Sequence, residues 1–259
     1  MSDGPARTPE TRLRPLSQAN SEPGERAIFL TVSLLHLLLR PVTHRDWRGQ
    51  ELLPRTGGVV VVANHISNVD PLALGQYLAF SGRWPRFLAK ESIFRVPVVG
   101  AVVRACGQIP VRRNSAAAKD SLAPAVAAVE QGRALVVYPE GTITADPDLW
   151  PMRGRTGAAR IALQSGAPVI PIGQWGAQDI MYGKRRTLPR LLPRKTLRLQ
   201  TGPPVPLDDL RGRPVTAEVL AEATERIMAA ITTLVAGLRG GEPPAERFDP
   251  RPSAQQADR

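Results

Sequence analysis

The feature that most constrains the fold is a regular alternation, between residues 59 and 201, of short β-branched apolar runs with longer helix-forming segments. The runs predict strands at 59–63, 86–89, 109–111, 134–138, 169–172 and 197–201. Helices are predicted at 71–79, 98–105, 115–131 and 156–165, with a long closing helix at 216–238. Because strands separated by helices pair through crossovers, the sequence predicts an α/β fold with a mainly parallel or mixed sheet flanked by helices.

A histidine and an aspartate follow the first predicted strand at a spacing that suits acid–base chemistry. His65 leaves the apolar run, and Asp70 comes five positions later, directly before Pro71. A turn between them would bring the carboxylate to one imidazole nitrogen and leave the other free to accept a proton. The alternative is that Asp70 only caps the helix and His65 is a polar turn residue.

Three more segments follow this pair in a fixed order. They are Gly-Gln-Ile-Pro-Val-Arg-Arg at 107–113, Tyr-Pro-Glu-Gly-Thr at 138–142 and Pro-Val-Ile-Pro at 168–171. Together with His65-x4-Asp70 they resemble the four blocks of the glycerolipid acyltransferase family, over roughly residues 59 to 202. The resemblance is strongest to members that act on lysophosphatidic acid. It implies transfer of a fatty acyl chain from acyl-CoA or acyl-carrier protein to the free hydroxyl of 1-acylglycerol 3-phosphate, giving phosphatidic acid.

The resemblance also assigns roles to individual residues. His65 is expected to act as the general base, and Asp70 to fix its tautomer. A serine nucleophile is not needed because the acceptor hydroxyl attacks, and the implied mechanism uses neither a metal nor a cofactor. The residues expected to bind substrate are Lys90, Arg112, Arg113, Glu140, Gly141, Thr142 and Arg155.

One departure from the family pattern concerns the acceptor. Relatives commonly continue Glu-Gly-Thr with Arg-Ser, whereas this chain continues with Ile143 and Thr144. Arg153 or Arg155, which precede a predicted helix, would replace the missing phosphate contact. Glycerol 3-phosphate and other lysolipids therefore stay open as acceptors.

Charge and hydropathy indicate an anionic partner. The net charge is +11, and residues 26–239 carry 28 basic against 15 acidic groups. A predicted apolar helix at 27–39 is too short to span a bilayer, so it is expected to lie in the membrane interface, with an ordinary buried helix as the alternative. Seven basic residues and four leucines between 183 and 198 form a second candidate membrane contact. That segment lacks aromatic residues, which argues against nucleic acid as the partner.

These patterns divide the chain into three parts. Residues 1–25 and 240–259 are expected to be disordered tails, and residues 26–239 to form the acyltransferase domain. The expected location is the cytoplasmic face of the cell membrane, as a peripheral or monotopic protein.

Overall fold

The computed structural model describes residues 15–20, 22, 26–111, 122–182 and 188–250. A seven-stranded sheet runs in the order β1-β7-β6-β2-β5-β3-β4. Its strands are β1 (Thr43–Arg48), β2 (Val59–Ala63), β3 (Pro85–Lys90), β4 (Ile109–Val111), β5 (Ala134–Val137), β6 (Val169–Trp175) and β7 (Lys195–Thr201). The helices are α1 (Leu16–Ala19), α2 (Arg26–Leu39), α3 (Asp70–Phe80), α4 (Val99–Ala105), α5 (Ala123–Glu130), α6 (Gly157–Ser165) and α7 (Ala217–Arg239).

Five neighbouring strands, from β6 to β4 in the sheet order, are parallel, while β7 runs antiparallel to β6. The sheet is therefore mixed, as the sequence predicts. The carboxyl ends of the five parallel strands meet at one edge, which is where functional side chains collect in sheets of this kind. In the register, Val60 of β2 lies beside Leu135 of β5 and Val169 of β6.

The central strand β2 is buried along its whole length. Val60 and Val62 pack with residues of α5, α6 and α7 on one face of the sheet. Val59, Val61 and Ala63 pack with residues of α3 on the other face. Side chains of a strand alternate between its two faces, so a strand covered on both sides must be apolar at every position.

Helix α2 packs against the outer side of α3, and only one face of α2 is buried. Ile28 and Val32 are buried in a small cluster with Leu16, Ala79, Trp84 and Cys106. The opposite face exposes its leucines, Leu30, Leu34, Leu37 and Leu38. In the described part of the chain, no helix has both the length and the apolar character that crossing a membrane requires.

Several boundaries differ from those predicted. β1 was not predicted, and its sequence, Thr-His-Arg-Asp-Trp-Arg, has no apolar run. Within the first 25 residues, Leu16 lies in α1 and is buried against α2, so the expected disorder does not extend to this helix. Near the other end, the carbonyl of Phe248 accepts a hydrogen bond from the Arg153 N–H at 2.9 Å. Described residues on both sides of 26–239 therefore contact the domain.

Candidate active site

His65 and Asp70 form a hydrogen-bonded pair at the carboxyl end of β2. Asp70 Oδ2 lies 2.9 Å from His65 Nδ1. The same oxygen accepts the backbone N–H groups of Ile66 at 2.6 Å and Ser67 at 2.8 Å. Because a carboxylate oxygen with these contacts acts as an acceptor, His65 Nδ1 carries the proton and donates it to Asp70. The other ring nitrogen, Nε2, then has a free lone pair that can remove a proton.

The structure contradicts the alternative in which Asp70 caps α3. The helix starts at Asp70 itself, its N-cap is Val69, and no side chain caps it. Asp70 is fully buried, and its carboxylate turns back to the loop between β2 and α3 instead of capping the helix. Ser67 donates to the carbonyl of Met181 at 2.7 Å, which makes it a hydrogen-bonding turn residue.

An aromatic ring and a buried amide pair fix the surroundings of the histidine. The ring of Tyr138 stacks on the His65 ring, with centroids 4.2 Å apart and planes 13° from parallel. Just before the histidine, Asn64 Nδ2 donates to the carbonyl of Gln174, and Asn64 Oδ1 accepts the Gln174 N–H at 2.9 Å. These contacts tie the end of β2 to β6 and hold the imidazole in one orientation.

Glu140 is also part of this site, but not as an open substrate ligand. Its side chain is 2% exposed. Oε1 accepts the His65 N–H at 2.8 Å, and Oε2 accepts the Met152 N–H at 3.0 Å. The family resemblance assigns Glu140 to substrate binding, whereas in the structure both of its oxygens accept backbone N–H groups. Burial raises the pKa of Glu140 to about 8, against the lowering effect of these two hydrogen bonds.

The remaining predicted site residues lie at the sheet edge, in the turn after Glu140, or outside the described residues. Lys90 is the exposed last residue of β3, at the same sheet edge as His65. Gly141, with φ of +73°, approaches Arg155 so closely that a Cβ on the glycine would lie 2.9 Å from Arg155 Nε. Thr142 is half-buried in the turn that follows. Arg112 and Arg113 lie outside the described residues.

The two arginines proposed as replacements for the missing family arginine have different surroundings. Arg155 is exposed beside the glycine of the Glu-Gly-Thr turn, and its N–H donates to the carbonyl of Pro139 at 2.8 Å. Arg153 instead pairs with Asp249, with Nη1 3.2 Å from Oδ2. Ile143, at the position where relatives carry arginine, is 6% exposed and belongs to the core.

The contacts that involve backbone groups were not predicted from the sequence. The contact of Asn64 with Gln174 has no sequence signature, because several types of residue at the end of β6 could pair with an asparagine in this way. The Thr144 N–H donates to the His65 carbonyl at 2.7 Å, and this contact does not depend on the threonine side chain. Only the placement of His65 and Glu140, each just after a predicted strand, indicated that the two segments could meet at one sheet edge.

A sheet covered by helices on both faces, with a buried carboxylate hydrogen-bonded to a histidine at the carboxyl ends of its parallel strands, has the geometry that general-base chemistry needs. The sequence model of the Acyltransferase family matches residues 44–175, half of the chain, and the chain belongs to this family.

Similar proteins point to the same family. A chloroplastic 1-acyl-sn-glycerol-3-phosphate acyltransferase from Brassica napus is 34% identical over 158 residues, which is 59% of this chain and 43% of the relative. The enzyme of that name from Borreliella burgdorferi is 30% identical over 125 residues, 48% of each chain. The chain therefore spans about half the length of these relatives. The crystal structure of the 1-acyl-sn-glycerophosphate (LPA) acyltransferase from Thermotoga maritima shares the fold, with a TM-score of 0.63, 21% identity, and coverage of 84% of this chain and 81% of that one.

Proposed function

We propose that this protein transfers a fatty acyl group from acyl-CoA or acyl-carrier protein to the free hydroxyl of 1-acylglycerol 3-phosphate, giving phosphatidic acid. The observation that carries the proposal is the contact of His65 Nδ1 with the buried Asp70 carboxylate at 2.9 Å, which leaves Nε2 as the base. The activity named for the relatives from Brassica napus and Borreliella burgdorferi supports the same acceptor.

The chemistry needs one base and no covalent enzyme intermediate. The acceptor hydroxyl oxygen attacks the thioester carbonyl carbon while His65 Nε2 takes its proton. The buried Asp70 carboxylate stabilises the imidazolium that forms. When the tetrahedral intermediate collapses, the carbon–sulfur bond breaks and the imidazolium returns its proton to the leaving thiolate. Stacking of Tyr138 on the imidazole at 4.2 Å keeps the ring in the plane that this proton transfer needs.

The acceptor phosphate is assigned to cations around the Glu-Gly-Thr turn. Arg155 lies against Gly141, one residue from the carboxyl group that contacts His65. An arginine fork engages phosphate through charge-assisted hydrogen bonds, so Arg155 is the described residue that best fits this role. Lys90 and the doubled charge of Arg112 and Arg113 would add to it. The alternative acceptors are glycerol 3-phosphate and other lysolipids, and the buried Ile143 in place of the family arginine favours, among these, a lysolipid without a phosphate monoester.

The proposed location is the cytoplasmic face of the cell membrane. The exposed leucines of α2 support it, as do two leucines in the segment before β7, Leu188 and Leu192, which are 89% and 79% exposed. The middle of the basic run, residues 183–187, lies outside the described residues. One arginine of the basic run, Arg194, makes contacts within the fold. Its Nη2 donates to the carbonyls of Arg40 at 3.0 Å and Thr43 at 2.7 Å.

Thiol release from acyl-CoA, measured with purified protein, tests the activity. We expect turnover with 1-acylglycerol 3-phosphate, and less with glycerol 3-phosphate, lysophosphatidylcholine and lysophosphatidylethanolamine. His65→Ala should abolish turnover, and Asp70→Asn should lower kcat by at least about 100-fold, the scale of base and orienter losses. His44→Ala is the matched control, because His44 lies in the edge strand β1.

The same panel distinguishes the two acceptor classes. Preference for lysophosphatidylcholine or lysophosphatidylethanolamine would reject a site for a phosphate monoester, and preference for glycerol 3-phosphate would keep the phosphate contact but reject 1-acylglycerol 3-phosphate as the acceptor. Near-normal turnover by a folded His65→Ala protein would reject the mechanism itself.

A further inference from the structure

The main chain of the catalytic histidine is held on both sides by one neighbouring loop. The His65 N–H donates to Glu140 Oε1 at 2.8 Å, and the His65 carbonyl accepts the Thr144 N–H at 2.7 Å. The proton transfer described above uses neither contact. They fix the peptide groups on both sides of His65, and therefore the direction in which its side chain leaves the backbone.

The same carboxyl group also organises the loop that carries Arg155. Glu140 Oε2 accepts the Met152 N–H at 3.0 Å, twelve residues further along the chain. Three residues after Met152, the Arg155 N–H donates to the carbonyl of Pro139, which precedes Glu140. Residues 139–155 thus form a closed loop with the Glu140 carboxyl group at its centre, and one oxygen of that group reaches across to His65.

We infer that Glu140 is a positioning residue, which couples the catalytic base His65 to the loop that holds the acceptor without itself contacting the acceptor. This inference rests on the proposed function, because it assigns the acceptor to the side of the loop where Arg155 lies. The 2% exposure of Glu140 and the occupation of both its oxygens leave no open face for a substrate hydroxyl.

The physical reason lies in the cost of unpaired buried groups and in geometry. Without the Glu140 carboxyl group, the N–H groups of His65 and Met152 lose their acceptor, and the loop must rearrange to find another. A shift of about 1 Å between base and acceptor is enough to lower the rate by about 100-fold. The effect should therefore appear in kcat for every acceptor, since the base is displaced whichever acceptor is bound.

Steady-state kinetics of Glu140→Gln and Asp146→Asn test this coupling. Gln has the same shape but places an amide N–H₂ against one of the two backbone N–H groups. Asp146 is a matched control on the same loop, because its Oδ1 accepts the N–H groups of Asp148 at 2.9 Å and Trp150 at 3.2 Å without contacting His65.

For Glu140→Gln we expect kcat to fall at least about 100-fold with every acceptor used, while KM for the acceptor changes less than about threefold. Asp146→Asn should retain kcat within about threefold. If Glu140→Gln instead raises KM for the phosphorylated acceptor and leaves kcat intact, Glu140 contacts the acceptor and the inference is overturned.

A measurement without substrate separates this inference from the proposed function. The chain has three histidines, so the His65 imidazole signals can be assigned by comparison with His36→Gln and His44→Gln. The Nδ1 proton shared with Asp70 should give a low-field proton resonance that shifts or disappears in Glu140→Gln and persists in Asp146→Asn. If wild-type protein transfers no acyl group but shows this pattern, the proposed function fails and the coupling stands. An unchanged His65 signal in Glu140→Gln overturns the coupling.

If Glu140→Gln does not fold, two measurements still decide the question. Glu140→Asp keeps the carboxyl group but is too short to reach both N–H groups, and it should lower kcat less than Glu140→Gln does. In the wild-type protein, amide hydrogen exchange should be slow at both His65 and Met152. Exchange at either amide as fast as at exposed loop amides would show that the carboxyl group does not hold them, which overturns the inference.

Discussion

At residue 140, burial and hydrogen bonding act on one carboxyl group in opposite directions. Burial penalises the charged form and is the larger effect, so the pKa of Glu140 rises to about 8, although the N–H groups of Met152 and His65 favour the carboxylate. Between the ordinary pKa of glutamate and this value, the folded protein binds a proton that the unfolded chain has lost. Stability must therefore fall as pH rises through that interval.

This difference predicts how the stability of a Glu140→Gln variant compares with that of the wild type. Gln is neutral at every pH, so the free energy of unfolding of the wild type should decline relative to the variant from about pH 4.5 to about pH 8 and then level off. The decline should be on the order of a few kcal/mol. Urea unfolding at several pH values measures it. A constant difference across this range would show that Glu140 has an ordinary pKa.

The contact between two side chains close in the sequence was predictable, and the contacts made by backbone groups were not. The spacing of His65 and Asp70 predicts their contact, because a five-residue turn after a strand brings the two side chains together. The contact of Glu140 with the His65 N–H depends on how β2 and β5 align in the sheet, with Val62 opposite Val137. Strand register is set by the packing of the whole sheet, so it cannot be read from either segment alone.

Among the elements, the buried central strands were predicted well, whereas β1, one of the two edge strands of the described sheet, was missed. β2 has the predicted bounds, and β5 ends one residue before its predicted end, because β-branched runs bounded by turn residues identify strands that are covered by neighbours. Among the described strands, β1 pairs only with β7, and most of its residues are half-buried, so its sequence needs no apolar run. A polar edge strand of this kind is indistinguishable from a loop in the sequence.

The attachment of α2 leads to a prediction for Arg194. Its guanidinium donates to the carbonyls of Arg40 and Thr43, at the point where α2 gives way to β1. The last carbonyls of a helix have no partner within it, so this arginine supplies one. Arg194→Ala should lower the free energy of unfolding by about 1 to 2 kcal/mol and speed proteolysis within residues 26–42. Arg190→Ala is the control, because the Arg190 contact to Ile180 uses only the backbone N–H. Equal effects of the two substitutions would contradict the capping role.

For the whole molecule, positive charge and exposed apolar side chains together favour contact with an anionic bilayer more than either feature does alone. Helix α2 packs beside α4, and α4 and the residues before it expose further apolar side chains, Val96, Val98, Val99 and Val102. Arg194 joins the end of α2 to the segment that carries Leu188 and Leu192. Exposed apolar surface of this extent is unusual on a protein that stays in water, and the +13 charge of residues 26–239 complements an anionic bilayer.

Vesicle flotation tests this arrangement. Wild-type protein should float with vesicles containing anionic phosphatidylglycerol, float less with pure phosphatidylcholine, and dissociate partly as salt rises, because screening weakens only the charge contribution. Replacing Leu30, Leu34 and Leu37 by serine should leave binding that salt abolishes, since the apolar contribution is lost and the basic groups remain. Val215→Ser is the control, because Val215 is an exposed apolar residue that precedes α7, on the opposite face of the sheet from α3. If the triple variant floats as well as the wild type in high salt, α2 does not enter the bilayer, and the positive charge serves soluble anionic substrates alone.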